Sequence, residues 1–540
     1  MKITAQRLAA AAMAACLLIG GAPAWADAPS LSNDSLRTDT GRIMMDVSTY
    51  AGLGDDGSGS AARLYATFRS PSGLLVQLDG ILLVADTKNH LLRRIAGDSV
   101  STYAGLIAWK DGKGSPLGAR LDGTADLSVF QEPMGLASDR GGSIYVADAG
   151  NHAIRKVDAS GRVTTIAGSG QIGLKDGQGL EAAFDHPQDV AVASDGTVYV
   201  ADTLNHVIRR ISPDGRTTTL TAPSSRLVEV TPGQVVPSGD FRDGSIAEAK
   251  FNEPSGLALD DQGNLYISDS GNQRIRYMDF GKGQVMTVAG GSAAAGAAYE
   301  PASLYAQGAY ADGKAGAARF NFPQGIALTP EGGLVIADSM NHSIRYLLDG
   351  EVTTLAGDPR QRTGEADGTE RTAQFQKPMD VAAAADGSIY AADAFNNKVR
   401  RLTPYQLPTG LPQNDEVKVV LGSTPISFEV QPEIVNGRTM VPVRAVTEAL
   451  GYKVEYKEED RSVQLTKGDV TVVLHIGQTG IEKQVKGQPG TVKATDTAPY
   501  IKDGNTYVPV RFFAEETGLD VQWEETARAV VLRPLTKLGE

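Results

Sequence analysis

The chain has 540 residues, among them 61 glycines and 26 prolines. This length favours two or more domains over a single hydrophobic core, and the glycine and proline content favours tight turns and β-structure over long helices. The formal net charge of -13 argues against a nucleic-acid partner, because phosphate binding requires a concentrated excess of lysine and arginine.

Residues 1–26 have the pattern of a signal peptide, with a basic start, an apolar run over residues 8–20 and small side chains at Ala24 and Ala26. We therefore expect an exported protein at the cell surface or outside the cell. Cys16, the only cysteine, lies in a loose lipobox and leaves lipoprotein anchoring as an alternative. After signal cleavage, no segment has the roughly 20 consecutive apolar residues that a membrane helix needs.

Residues 27–46 form an N-terminal segment, after which a pattern of the form apolar-Asp-x-x-Asn-x-x-apolar-Arg recurs six times. Each copy lies between two short apolar strands, so Asp-x-x-Asn is predicted to be a hairpin turn. Because every copy carries the same Asp and Arg, an ion pair of the framework is a better interpretation than acid–base chemistry. The polar positions are Asp86, Asn89 and Arg93; Asp148, Asn151 and Arg155; Asp202, Asn205 and Arg209; Asp269, Asn272 and Arg276; Asp338, Asn341 and Arg345; and Asp393, Asn396 and Arg400.

A strand that begins with proline precedes every turn, and a fourth strand follows the first five copies but not the sixth. Four strands per repeat are typical of a propeller blade. We therefore predict a mainly β protein with a six-bladed β-propeller over residues 47–403. The missing fourth strand has a counterpart at 47–52, so this N-terminal strand is predicted to complete the last blade and close the ring.

These repeats resemble NHL repeats, and the resemblance covers roughly residues 45–405. It implies the propeller fold. Related propellers include extracellular sensor domains, protein- and RNA-binding modules and the catalytic domain of peptidyl-amidating lyases, and the gluconolactonase and paraoxonase class shares the architecture. The resemblance therefore implies a fold and leaves the function open.

Four histidines, His90, His152, His206 and His342, occupy one equivalent position after the turn asparagine. Equivalent positions in a six-fold ring lie far apart, whereas zinc needs its nitrogen ligands at about 2.0–2.1 Å. We therefore predict no metal site and no catalytic residue among them. The recurring Asp-Gly pairs that begin at residues 176, 243, 312 and 367 are interpreted as turns, with calcium binding as the alternative.

The strand that begins each blade differs from blade to blade close to its proline, at the predicted mouth of the central channel. We name Gln188, Asp189, Gln324 and Asp380 as candidate ligand-binding residues, because the two aspartates lie in opposite blades. The alternative is that each aspartate binds local backbone. No cofactor is expected, but a single calcium or zinc ion in the channel stays an open alternative. Long insertions at 223–241 and 291–311 are predicted to project from the same face.

Residues 404–416 form a predicted linker, and residues 417–535 form a small α+β domain of two matched halves. Val441-Pro442-Val443-Arg444 recurs 67 residues later as Val508-Pro509-Val510-Arg511, and further apolar positions match at the same offset. This domain resembles the copper amine oxidase N-terminal-like domain, also called a stalk domain. Copper amine oxidases use a tyrosine in an Asn-Tyr motif and histidine ligands. This chain has no Asn-Tyr pair and only His475 in the domain, so we expect no amine oxidase activity.

The sequence favours a secreted, non-enzymatic binding or scaffolding protein whose propeller face recognises an extracellular protein, peptide or glycan. The alternative is a metal-dependent propeller hydrolase or lyase, lactonase-like or amidating-lyase-like.

Overall fold

Six antiparallel sheets of five strands make up residues 45–404 in the computed structural model of the chain. The structure describes residues 31–535 apart from 33–34, 292–295, 297–298, 496, 512–513 and 515–516. The predicted signal peptide at 1–26, with Cys16, lies outside the described residues. The predicted mainly β, six-bladed propeller is confirmed. Among the residues described, no helix is both long and apolar enough to cross a membrane.

The blades share one strand order, from an inner strand at the central channel to a two-residue strand at the outer edge. The inner strands are β3 (Pro71–Val76), β10 (Pro133–Ser138), β15 (Pro187–Val192), β22 (Pro254–Leu259), β27 (Pro323–Leu328) and β32 (Pro378–Ala383). The second strands are β4 (Leu82–Asp86), β11 (Ile144–Asp148), β16 (Val198–Asp202), β23 (Leu265–Asp269), β28 (Leu334–Asp338) and β33 (Ile389–Asp393). The third strands are β5 (Leu91–Ala96), β12 (Ala153–Val157), β17 (Val207–Ile211), β24 (Arg274–Asp279), β29 (Ser343–Leu348) and β34 (Lys398–Pro404).

The fourth strands of blades 1 to 5 are β6 (Ser99–Ala104), β13 (Arg162–Ala167), β18 (Arg216–Thr219), β25 (Gln284–Ala289) and β30 (Glu351–Ala356). The edge strands are β2 (Ala61–Ala62), β9 (Gly123–Thr124), β14 (Gly177–Gln178), β21 (Gly244–Ser245), β26 (Gly313–Lys314) and β31 (Gly368–Thr369). This fifth strand was not predicted. Most of the edge strands begin at the glycine of an Asp-Gly pair, which the sequence alone suggests is only a turn.

The ring closes between the two ends of the propeller. β1 (Met45–Ala51) is the fourth strand of blade 6 and pairs antiparallel with β34, with Met45 opposite Pro404 and Ala51 opposite Val399. On its other side β1 pairs with β31. The predicted closure by an N-terminal strand is therefore confirmed, and β34 is not left as an open edge.

The hydrophobic core is divided into clusters that span neighbouring blades. One cluster joins Leu83 and Leu92 of blade 1 to Phe130, Leu136 and Ile144 of blade 2. A fully buried phenylalanine recurs in every blade and lies under the repeat arginine, at 4.7–5.5 Å from ring centroid to guanidinium carbon. These phenylalanines are Phe68, Phe130, Phe184, Phe251, Phe320 and Phe375.

Two hairpins extend the loops between blades. β7 (Trp109–Lys110) pairs with β8 (Pro116–Leu117) between blades 1 and 2, and β19 (Leu227–Thr231) pairs with β20 (Gln234–Pro237) between blades 3 and 4. We use the term loop face for the side of the ring that carries the Asp-x-x-Asn turns, because the inter-blade loops hydrogen-bond to these turns.

The C-terminal domain contains three small sheets and the helix α1 (Val443–Ala449). Its remaining strands are β35 (Lys418–Leu421), β36 (Thr424–Pro425), β37 (Glu433–Val435), β38 (Arg438–Pro442), β39 (Lys453–Lys457), β40 (Ser462–Lys467), β41 (Val470–His475), β42 (Ile481–Val485), β43 (Thr491–Lys493), β44 (Tyr500–Lys502), β45 (Asn505–Pro509), β46 (Leu519–Glu524) and β47 (Ala529–Pro534). β38 and β45 pair antiparallel with Val441 opposite Val508. Since these two valines occupy matched positions of the two halves, a pseudo-two-fold axis passes between them.

The C-terminal domain packs against the start of the closing strand. Arg533 on β47 is buried, donates to the carbonyl oxygen of Met45 at 3.2 Å and pairs with Glu370 at 2.9 Å and Asp520 at 3.1 Å. The Glu370 carboxylate accepts the Met45 N–H at 3.1 Å. Tyr405, in the predicted linker, is also buried and donates to the Gly422 carbonyl oxygen. The Met45 N–H thus donates to the Glu370 carboxylate, and its carbonyl oxygen accepts both the Glu370 backbone N–H at 3.1 Å and Arg533 of the second domain.

Removing residues 27–51 is expected to open the ring. The deletion takes away the buried side chains of Met45, Val47 and Ala51 and exposes the edge of β34. The melting temperature should fall by roughly 10 °C or more, with faster proteolysis of blade 6. Deletion of residues 27–30 alone is the control. Equal melting temperatures for the two proteins would contradict closure by β1.

Arg533→Met is expected to destabilise the full chain by about 3–5 kcal/mol, because it leaves Glu370 and Asp520 buried without this cation. Urea unfolding followed by tryptophan fluorescence measures the change. The exposed Arg444, which makes no ion pair with the residues described, gives the control Arg444→Met. A similar loss in both variants would show that Arg533 contributes packing alone.

Candidate functional site

The repeated Asp, Asn and Arg form a buried hydrogen-bonded group inside every blade. In blade 3, Asp202 accepts the Arg209 guanidinium at 2.6 Å, the Asn205 amide at 2.8 Å and the Asp185 backbone N–H at 2.8 Å. Burial raises the pKa of Asp202 to about 6, and the charge of Arg209 opposes that rise. All six aspartates and all six arginines are fully buried. Side chains enclosed in this way hold the blade together and have no access to a substrate.

A second carboxylate reaches the same arginine in five blades. The Asp-Gly aspartate of blade 3, Asp176, lies 2.9 Å from Arg209 and also accepts from the Thr219 hydroxyl at 2.8 Å. Equivalent pairs join Asp122, Asp243, Asp312 and Asp367 to their arginines at 2.6–2.8 Å. In blade 1, Ser60 takes this place at 3.3 Å. The Asp-Gly aspartates therefore contribute to the framework of each blade.

The residue after each turn asparagine links its blade to the next one. His206 has a φ of 57°, and its Nδ1 accepts the backbone N–H of Glu253 in blade 4 at 3.1 Å. His90, His152 and His342 make the same bond at 2.9–3.2 Å, and Gln273 and Asn397 make it through their side-chain oxygens. The position thus requires a side-chain hydrogen-bond acceptor on a left-handed backbone. His, Gln and Asn each meet this requirement, which explains why all three occur there.

An imidazole that accepts through Nδ1 must be neutral and carry its single proton on Nε2. Burial, together with the nearby charge of Arg226, lowers the pKa of His206 to about 4. Burial also lowers the pKa values of His90 and His342. These histidines serve as inter-blade acceptors, a role that the sequence pattern does not reveal.

The four predicted channel residues come together at the start of the inner strands. Gln188, Asp189, Gln324 and Asp380 line one small cavity on the axis, together with inner-strand residues of the other blades. Asp189 accepts the backbone N–H of Val190 and, across the blade boundary, that of Leu257, both at 2.8 Å. Asp380 does the same with Val381 at 2.8 Å and Leu74 at 2.7 Å. Each aspartate therefore joins its blade to the next one.

The glycines at this level provide the space for these carboxylates. A Cβ atom on Gly135 would lie 2.0 Å from Asp189 Oδ1, and one on Gly325 would lie 1.8 Å from Asp380 Oδ1. Burial raises the pKa of Asp380 to about 7, and burial with the charge of Asp380 raises that of Asp189 well above its ordinary value. The channel mouth therefore disfavours the charged form of both carboxyl groups.

The channel cavity has a volume of about 20 Å³. That volume holds about one water molecule or a single small ion. A peptide or a sugar ring does not fit between these residues. Among the described residues, no group of three or more His, Cys, Asp or Glu side chains is arranged to hold a metal ion.

The loop face carries exposed apolar side chains on its hairpins, loops and turns. Their exposed fractions range from 40% to 68%. The residues are Trp109 and Leu117 on the first hairpin, Ile172 in the loop before blade 3, Leu204, Met340 and Phe395 in the Asp-x-x-Asn turns, and Leu227 and Val235 on the second hairpin. We call this set the apolar loop residues.

Arg226 joins the two predicted insertions. Its guanidinium lies over the Tyr299 ring at 3.7 Å, and it donates to the carbonyl oxygens of Ser303 and Leu304. Tyr305 in the second insertion donates to Glu253 at the channel mouth at 2.8 Å. The described parts of these insertions therefore pack on each other and form a fixed wall beside the mouth.

His206→Gln is expected to reduce the acid sensitivity of the chain. The histidine has a lower pKa when folded than the ordinary value of about 6.5, so its contribution to stability is complete above pH 6.5 and is lost as pH falls towards 4. At pH 5 the loss amounts to about 2 kcal/mol. Glutamine accepts the same bond without titrating, as Gln273 does in blade 4. Urea unfolding at pH 7 and pH 5 measures the difference, and equal losses in both proteins would contradict it.

Comparison with protein-family models finds matches in both parts of the chain. The NHL repeat matches at residues 130–157, 184–211, 251–276 and 320–345, which contain the turns of blades 2 to 5. The copper amine oxidase N-terminal domain matches at residues 420–532.

Individual relatives match the propeller and are longer proteins. NHL repeat-containing protein 2 of Bos taurus is 30% identical over 378 residues, which cover 63% of this chain and 48% of that protein. Protein SUPPRESSOR OF QUENCHING 1, chloroplastic, of Arabidopsis thaliana is 27% identical over 295 residues, which cover 43% of this chain and 27% of that protein. The chain thus spans half the length of these relatives or less.

Among solved structures, a structural genomics protein from Bacteroides thetaiotaomicron is similar, with a TM-score of 0.46 and 20% identity over 66% of this chain and 76% of that one. The five-stranded antiparallel blades agree with the NHL matches in the propeller. This chain carries NHL repeats in its six-bladed propeller, followed by a copper amine oxidase N-terminal domain.

Proposed function

We propose that the chain is a secreted, non-enzymatic binding protein whose loop face recognises an extracellular protein. The observation that carries this proposal is the concentration of the apolar loop residues on one face of a rigid ring. Exposed apolar patches on soluble proteins mark interaction sites, and tryptophan and other large side chains dominate binding energy at such sites.

The position of the C-terminal domain supports the choice of this face. The domain contacts the propeller at Met45 and Glu370, and Met45 pairs with Pro404 at the far end of β34 from its turn. The loop face therefore stays open on the side opposite that contact. The second domain can then act as a spacer or an attachment point while the propeller binds its partner.

The residues shared by all blades support a framework role and argue for the binding proposal over catalysis. The repeat aspartates and arginines are enclosed, and the histidines accept bonds from the next blade. Secretion rests on the signal-peptide pattern of residues 1–26. A single ion at Asp189 and Asp380 is compatible with the small cavity and does not change the proposed role of the loop face.

Replacing Trp109 and Leu227 together by serine is expected to weaken binding to the cell envelope of an expressing bacterium by at least about tenfold. Labelled full-length protein and washed envelope fractions give the measurement. The control replaces Leu64 and Tyr65, which are 48% and 73% exposed at the outer edge of blade 1. Equal loss in both variants, or unchanged binding by the loop-face variant, would refute the proposed surface.

A further inference from the structure

The duplication of the C-terminal domain creates two equivalent grooves. Groove 1 has a volume of about 1020 Å³ and groove 2 about 730 Å³. Their lining residues match at the offset of 67 residues. The matched residues of groove 1 are Ile426, Val443, Arg444, Val454, Tyr456, Val463 and Ile501. Their counterparts in groove 2, in the same order, are Lys493, Val510, Arg511, Val521, Trp523, Val530 and Ile434. Each groove therefore combines an apolar floor with a matched aromatic ring and a matched arginine. Phe428 also lines groove 1, and Arg438 and Arg528 also line groove 2.

The chain's own N-terminal segment already contacts groove 2. The carboxylate of Asp39, in a turn before the closing strand, lies 3.9 Å from Arg511. The backbone N–H of Asp39 donates to Gln522 Oε1 at 3.0 Å, and Gln522 also lines groove 2. The edge of groove 2 thus contacts an acidic residue through its backbone and through its side chain, which also pairs with Arg371 of blade 6 at 3.6 Å.

Groove 1 has the matched arginine without such a contact. Arg444, the match of Arg511, is exposed and pairs with no carboxylate of the residues described. Glu455, the match of Gln522, is not among the described residues that line groove 1 and pairs with Lys457 at 2.7 Å, so the backbone acceptor of groove 2 has no equivalent here. Tyr456, which lines groove 1, is 43% exposed.

The other charges of groove 1 restrict what it can hold. Glu429 and Glu448 also line it, so a polyanion would be repelled by two carboxylates. An isolated acidic side chain can reach Arg444 while flanking apolar residues cover the valine floor and the Tyr456 ring. We propose that groove 1 binds an extended segment of a partner protein in which one acidic residue lies between apolar residues.

This site is separate from the loop face, and its test uses the full chain. A random peptide library displayed on phage is selected on the immobilised wild-type protein. Enriched peptides are synthesised and titrated by fluorescence polarisation against the wild type, Arg444→Gln, Tyr456→Ala and Arg511→Gln. Enriched sequences should share one Asp or Glu flanked by apolar residues.

Arg444→Gln should weaken these peptides by about ten- to hundredfold, as expected for loss of one charge-assisted hydrogen bond. Tyr456→Ala should also weaken them, while Arg511→Gln should leave their affinity within about twofold. Arg444→Gln should have the same melting temperature as the wild type, because the Arg444 side chain is exposed and forms no ion pair with the residues described.

Three outcomes would overturn the proposal. The first is a selection that yields no peptide whose binding depends on Arg444, and the second is a set of Arg444-dependent peptides that lack an acidic residue. The third outcome is Arg444-dependent binding of polygalacturonate with no peptide selected, which would assign the groove to an acidic glycan.

Discussion

Closure of the ring at blade 6 is the constraint on which the rest of the structure depends. Each blade buries its faces only against its neighbours, so an open ring exposes two blade faces and one strand edge. The chain meets this requirement by bringing Met45 beside Pro404. The position is then secured by Glu370 from the propeller and Arg533 from the second domain. The C-terminal domain is therefore part of the closure and more than an appended stalk.

The sixfold repeat separates structural residues from candidate binding residues. A side chain that is identical in every blade gives no reason for a ligand to bind at one blade over another. The buried Asp, Asn and Arg hydrogen-bond to each other within each blade. Asymmetry is found in the channel, where only Asp189 and Asp380 are acidic, and on the loop face, where the insertions differ in length. The channel aspartates bind backbone across blade boundaries. This leaves the loop face as the surface with both variation and exposure.

The sequence predicts the blade count and the two matched halves because each appears as a repeated pattern in the chain. It predicts the closing strand because the sixth repeat lacks a fourth strand and residues 47–52 have the matching pattern. It does not predict the edge strands, which are two residues long and carry no alternating pattern. It also misses the histidine contacts, because acceptance from Glu253 by His206 depends on which backbone group the next blade presents. Arg533, Glu370 and Met45 are far apart in the sequence and show no repeat, so only the folded chain brings them together.

Duplication has a particular consequence when the two copies meet at an axis. The pairing of Val441 with Val508 places equivalent surfaces on opposite sides of the domain, so both cannot contact the same propeller. The second half carries the residues that dock, Asp520, Gln522 and Arg533. At the matched positions the first half has Lys453, Glu455 and Thr466, which cannot reproduce the buried ion cluster. The first half has kept the groove and its arginine but lost the means to bind this propeller, and that combination is expected of a surface that faces a different molecule.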